Sequence, residues 1–160
     1  IANQYGAVEA LPAMHAEAIA AAERAIALAP TLAEAHSTLG FTLFQGRLDA
    51  RAARMPFERS IEFGAGEATV MARFAQYAAR CGRHDDAAKA LAPALVRDPL
   101  NPLIRRAAGG IAYAARRFED SLEPLRRALS MNPKLARAHA AIGDALLNLG
   151  DVEGALEAYA

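Results

Sequence analysis

Residues 102–133 read PLIRRAAGGIAYAARRFEDSLEPLRRALSMNP, and residues 136–160 read ARAHAAIGDALLNLGDVEGALEAYA. Laid over each other at a 34-residue offset, the two stretches place equivalent residue types at equivalent positions. An apolar residue followed by a very small one gives Ala108-Gly109 and Ile142-Gly143. A turn follows at Arg116-Arg117 and Gly150, then a small residue at Ser121 and Ala155, then a larger apolar one at Leu125 and Tyr159. Such self-similarity is the first thing to seek in a sequence, because it decides the architecture.

Working outward, the pattern extends toward the N-terminus. Leu39-Gly40 and Phe74-Ala75 occupy the apolar-small slot, and Gly46 and Gly82 mark turns. Ala53 and Ala87 are the small residues, Phe57 and Leu91 the larger ones. Ser60, Ala94 and Ala128 lie three residues further on, and Ala65, Pro99 and Pro133 close the units. Units therefore begin near Ala33, Ala68, Pro102 and Ala136. The first carries one extra residue around Gly46–Ala53, which predicts a different turn there. Before Ala33, the residues Ala18, Ala22, Ala25 and Pro30 fit a second-helix spacing, with a turn expected at Leu11-Pro12. The expected organisation is one array over 1–160: a degenerate unit 1–32, then 33–67, 68–101, 102–135 and a truncated unit 136–160.

Composition supports helices throughout. Alanine, the strongest helix former, supplies 42 of 160 residues, while Val and Thr are scarce. Each unit reads as two antiparallel helices joined by a tight turn, with the small residue of one helix facing the small residue of the other. The larger apolar residue is expected to fill the groove toward the next unit. Proline beyond the second helix cannot continue it. The fold class is all-α, an α-solenoid of antiparallel helix pairs in which neighbouring units bury each other's apolar faces.

The 34-residue period, the Leu-Gly pair, the glycine turn, the alanine, the Phe/Tyr and the closing proline resemble the tetratricopeptide repeat. The resemblance implies a right-handed superhelix whose first helices line a concave groove that takes extended peptides or helices. It departs from the family at the aromatic expected early in each first helix, where His36, Met71, Arg105 and His139 stand. The paired Lys and Asn residues of the chaperone-tail clamp are missing at the matching places. A looser resemblance is to the repeat arrays of bacterial signalling proteins, where they follow winged-helix or nucleotide-cyclase domains. On that basis a bacterial, cytoplasmic protein is expected.

Mapped onto this sequence, the resemblance implies a groove containing Phe41, Phe44, Arg73, Gln76, Arg80, Arg106, Tyr113, Asp144 and Asn148, with Ser37, Ala72 and Ala79 beside them. The alternative packs Phe41, Phe44 and Tyr113 inside the superhelix. Exposed aromatics and arginines are the composition of binding hot spots. Forked guanidinium donors favour an acidic peptide or a terminal carboxylate. The expected partner is therefore a protein or peptide, with an acidic bias. Self-association through uncapped ends, as a regulatory module of a larger signalling protein, is the second reading.

Other chemistry finds little support. Eighteen basic and eighteen acidic side chains give zero net charge. That removes the bulk electrostatic drive for nucleic acid or an anionic membrane surface. No run approaches 18 apolar residues, and the first ten lack the features of a signal peptide. Cys81 is the lone cysteine, which excludes an internal disulfide. Cys81 and His84 in a C-x-x-H spacing are ordinary turn residues, and His36 and His139 fall in units far apart, so no metal site or cofactor is expected. Asp85-Asp86 are expected to cap a second helix rather than act as paired acid–base groups. No nucleophile–base pair appears, so the protein is not expected to be an enzyme. The sequence begins without methionine and ends midway through a second helix, as a piece of a longer protein would.

Overall fold

The computed structural model describes residues 2–160, with side chains from Leu11 onward, and divides the chain into two compact units, Ile1–Ala65 and Gly66–Ala160. All regular structure among the described residues is α-helical. The first unit holds α1 (Ala2–Leu28), α2 (Ala33–Gly46) and α3 (Ala50–Phe63). The second holds α4 (Ala68–Arg80), α5 (His84–Arg97), α6 (Pro102–Ala114), α7 (Phe118–Met131), α8 (Ala136–Asn148) and α9 (Val152–Tyr159).

Each helix pair is joined by three residues: 47–49, 81–83, 115–117 and 149–151. The middle residue is left-handed in every case, at Leu48 (φ 54°), Gly82 (φ 77°), Arg116 (φ 60°) and Gly150 (φ 86°). Glycine adopts that conformation freely, whereas an L side chain crowds the following carbonyl. The first turn therefore has the same length and form as the others, contrary to the sequence expectation. The extra residue lies in α2, which is one residue longer than α4, α6 and α8. It is absorbed at the helix end: Asp49 N–H donates to Leu43 O, six residues back, where Arg83, Arg117 and Asp151 each reach five back. Gly46 is consequently helical, and Leu48 holds the turn position. Gly46 serves packing instead, since an added Cβ there would lie 2.7 Å from the His15 ring on α1.

A second correction concerns the segment before Ala33. No turn forms at Leu11-Pro12, because α1 runs unbroken through Pro12. The alanine-rich sequence on both sides of Pro12 sustains helix across the one lost backbone bond.

The helix pairs close over small residues: Gly109 faces the Ser121 backbone as expected, but the large residue of the partner helix also enters the same space. The missing side chains of Gly40, Gly109 and Gly143 leave room for the large residue of the partner helix. A Cβ at Gly40 would lie 2.9 Å from the Phe57 ring, at Gly109 2.5 Å from Leu125 Cγ, and at Gly143 2.5 Å from the Tyr159 ring. The large residue thus fills the seam of its own pair. Phe57 and Leu125 are fully buried there. Each such side chain contributes about 1.5–3 kcal/mol of burial energy. In the second unit α6 packs against α4, α5 and α7, and α8 packs against α7 and α9, so the three pairs stack in sequence order. Leu122, Leu125, Ile142 and Leu146 form the core between the last two pairs.

Helix ends are secured by a device that the aromatic slot of three of the first helices, α2, α6 and α8, provides. His36 Nε2 donates to Pro30 O (2.8 Å), Arg105 Nε to Pro99 O (3.1 Å) and His139 Nε2 to Pro133 O (2.9 Å). Each side chain reaches back six residues to the proline of the preceding four-residue connection. These are links between successive helices and not merely packing residues. At the start of second helices, Asp49 accepts from Ala52 N–H and Asp151 from Gly154 N–H, as N-caps should. Asp85 and Asp86 do not cap. They lie in the first turn of α5 behind the N-cap residue Arg83, to which Asp86 pairs at 2.8 Å. His84 opens that helix rather than sitting in the turn, and Cys81 is exposed.

Candidate functional site

In the second unit the first helices α4, α6 and α8 lie side by side. Helical spacing sets one stripe on each. Arg73, Gln76 and Arg80 are related by i, i+3, i+7 on α4. Arg106, Gly110 and Tyr113 follow i, i+4, i+7 on α6, and Arg137, Asp144 and Asn148 run along α8.

Two hydrogen bonds tie the stripes together. Arg106 Nη2 donates to Gln76 Oε1 at 3.4 Å, joining α6 to α4. Asn148 Nδ2 donates to Tyr113 Oη at 3.2 Å, joining α8 to α6, and also to Asp144 O at 2.8 Å. Tyr113 is half-buried, with its ring edge-on to Phe118 at 5.3 Å. It thus sits between core and surface, with its hydroxyl on the shared face. Asp144 is engaged by the Tyr159 hydroxyl at 2.6 Å. That hydrogen bond, followed by partial desolvation and the Asp144 charge, holds the Tyr159 phenol up at about 12.

The electrostatics of this face are one-sided. Helices α4, α6 and α8 carry Arg73, Arg80, Arg106 and Arg137 against a single acid, Asp144, while Arg105 turns back to Pro99 O. Burial, and then the charges of Arg137 and Arg80, push the Arg106 guanidinium below its ordinary value. Its Nε is buried with no hydrogen-bond partner. No carboxylate pairs with Arg80, Arg106 or Arg137 among the described residues. The second helices α5, α7 and α9 carry the reverse balance, seven acids against four bases. A protein with zero net charge is therefore polarised across its second unit, between first and second helices.

The structure thus brings together Gln76 with Arg106, and Tyr113 with Asn148 and Asp144. Arg73 is half-buried on α4, and Arg80 is exposed. Phe41 and Phe44 are half-buried on α2 and belong to the first unit. Ser37, Ala72 and Ala79 are buried and contribute no groove surface, which corrects the expectation for those three. Gly110 faces open space. Sequence reasoning missed Arg137, whose placement two residues into α8 follows only once the helix start is fixed. It also missed Tyr159 as a partner of Asp144. The described residues contain no group of three or more metal-ligating side chains and no helix long and apolar enough to cross a membrane.

Comparison with known proteins matches the tetratricopeptide repeat model at residues 73–136 and 111–160, which together span more than half of the sequence. No curated protein matches significantly. Among solved structures, the protein is similar to PilF of Pseudomonas aeruginosa at 18% identity, covering 98% of this chain and 71% of that one with a TM-score of 0.70. MamA from Desulfovibrio magneticus RS-1 aligns at 15% identity over 91% of this chain and 81% of that one, with a TM-score of 0.65. A monomeric IFIT1 mutant with Gppp-AAAA aligns at 17% identity over 86% of this chain and 34% of that one, with a TM-score of 0.73. At these identities the likeness is one of fold.

Proposed function

Since the protein belongs to the tetratricopeptide repeat family, we propose that it is a non-catalytic scaffold that captures a peptide or protein segment on the face made by α4, α6 and α8. The observation that carries this reading is the Arg106–Gln76 and Tyr113–Asn148 network, which spans all three first helices and presents donors and a ring edge together. A partner lying across the helices would meet Arg106, Tyr113 and Asn148 in one footprint. Folding has no need of such a row of polar groups, because the helix seams are closed by apolar residues elsewhere.

The test is selection of peptides from a random displayed library on the 160-residue protein, followed by titration of the selected peptides. Tyr113→Ala with Asn148→Ala should weaken the selected peptides, while Glu123→Ala with Arg127→Ala on α7 should leave them unchanged. Peptides insensitive to the first pair, or sensitive only to the second, would rule the α4–α6–α8 face out.

Self-association is the second reading, favoured by the exposed apolar residues Leu149, Val152, Leu156 and Tyr159 at the α8–α9 end. Light scattering over a concentration series tests it. A dimer that Leu156→Glu abolishes would support this reading, and a monomer at all concentrations would dismiss it.

A further inference from the structure

We propose that α1 is a self-recognition helix: two copies of the protein pair their α1 helices antiparallel, about a two-fold axis midway between Ala18 and Ala21. This inference is independent of capture on the α4–α6–α8 face. It places self-association on α1 and not at the α8–α9 end.

The first observation is an unpartnered apolar seam. α2 packs on the side of α1 that carries His15, Ile19 and Ala22. Beside it runs a second stripe, Leu11, Met14, Ala18, Ala21, Ala25 and Leu28, in alternating steps of three and four residues. That alternation is the seven-residue repeat by which one helix receives another along its length. The stripe extends for about 26 Å, and Pro12 lies off it. Leu11, Met14 and Leu28 are exposed, Leu28 at 88%.

The second observation is shape. An open, mainly apolar groove of about 360 Å³ lies over the middle of the stripe, between Ala18, Ala21, Ala22 and Ala25 of α1 and Ala35 and Thr38 of α2. Alanine there admits another helix near the low end of the roughly 8–10 Å range of interaxial distances. The stripe is also its own complement. Reversed about its midpoint, it sets Leu11 against the partner's Leu28, Met14 against the partner's Ala25 and Ala18 against the partner's Ala21. Large residues meet at the ends and small ones at the centre. Each contact is made twice, as a two-fold interface requires.

The third observation is charge, and it selects a second copy over any other apolar helix. Glu17 and Arg24 flank the stripe on the side away from α2, seven residues apart. Neither has an ion-pair partner among the described residues. In the antiparallel register Glu17 meets the partner's Arg24, and Arg24 meets the partner's Glu17. A parallel register would oppose them to Ala22 and Ala29, with no charge to pair.

Light scattering over a concentration series, on the 160-residue protein with the exposed Cys81 kept reduced, tests the pairing. The expected result is a reversible dimer. Ala21→Glu, at an exposed position, should abolish it with helicity unchanged by circular dichroism, whereas Leu156→Glu should leave it intact. Glu17→Arg and Arg24→Glu should each raise the dissociation constant about tenfold, since the two-fold turns both attractive pairs repulsive at once. Combined in one chain, the two reversals should restore the original affinity. A monomer at every concentration would overturn the proposal. So would a dimer that survives Ala21→Glu and is lost in Leu156→Glu, which would move the contact to the α8–α9 end. Failure of the double reversal to recover what each single one loses would overturn the antiparallel register.

Discussion

Gly109 and Gly110 are adjacent in the middle of α6, and substituting each by alanine should move stability in opposite directions. Both variants gain the same intrinsic helix propensity, about 0.8–1.0 kcal/mol, and both lose the same glycine entropy in the unfolded chain. Those contributions cancel in the difference between the two proteins. What remains is space. A Cβ at Gly110 meets nothing within 4 Å, so Gly110→Ala should stabilise by the full propensity gain, about 1 kcal/mol. A Cβ at Gly109 would sit 2.5 Å from Leu125 Cγ and 2.9 Å from the Ser121 carbonyl oxygen. Leu125 is fully buried and cannot swing into solvent, and a backbone oxygen moves only if α7 moves. The overpacking penalty is about 1–3 kcal/mol, which offsets or exceeds the propensity gain. Urea unfolding monitored by circular dichroism reads the separation directly. In thermal melts, a difference of about 1–3 kcal/mol corresponds to roughly 2–12 °C for a protein of this size. Equal midpoints, or Gly109→Ala as the more stable variant, would refute the seam geometry and with it the placement of Leu125 across its own helix pair.

The turn positions offer a second paired test. Leu48→Gly should raise stability by about 0.5–1 kcal/mol by relieving a left-handed L residue, since its side chain is 83% exposed and contributes little packing. Gly150→Ala should lower stability by about 1 kcal/mol from backbone strain alone, because its new Cβ would meet nothing within 4 Å; shifts of the same sign in urea titrations would contradict this. His139→Ala should cost about 1 kcal/mol through the lost bond to the Pro133 carbonyl, and His139→Gln should recover part of it if donation to that oxygen is what matters. Tyr159 should ionise near pH 12 when followed by absorbance of the phenolate. Because its folded value is raised, its contribution to stability is present below pH 10 and is lost as pH rises through about 12. Asp144→Asn should bring that titration back toward 10, and an unchanged titration would mean the hydrogen bond is not its cause.

Much of the architecture was legible because repeats write their packing into spacing. Helix class followed from alanine content, and pairing followed from small and large residues recurring every 34 positions. Three features were not legible, each for a physical reason. The extra residue near Gly46 could be absorbed either in the turn or in the helix. Only the backbone shows that α2 takes it and leaves Leu48, an unfavourable residue, at the left-handed position. The Pro12 region carries a breaker inside a strong helix-forming run, and one proline cannot signal whether the surrounding propensity will prevail. His36, Arg105 and His139 have in common a donor nitrogen at the end of a side chain, a likeness hidden when they are sorted as aromatic or charged. The glycines of the first helices do mark close approach. Their partners were not legible, because a missing side chain says that something comes near and not what.

For the candidate site, the limit of sequence reading lies in how charge is counted. A net charge of zero argues against bulk attraction to polyanions, and at the level of the whole protein that argument holds. Recognition, however, works over about a Debye length, roughly 8 Å at physiological salt, so the sum that matters is taken over one face. Alternation of first and second helices turns a sequence of mixed charges into two sets of helices of opposite balance in the second unit: five arginines and one acid on α4, α6 and α8, seven acids and four bases on α5, α7 and α9. Stability gives no reason to concentrate cations in this way. The outer acids form exposed pairs such as Arg117–Asp120 and Arg127–Glu123, of the kind that contributes about 0–1 kcal/mol. Arg80, Arg106 and Arg137 repel one another and, among the described residues, pair with no carboxylate.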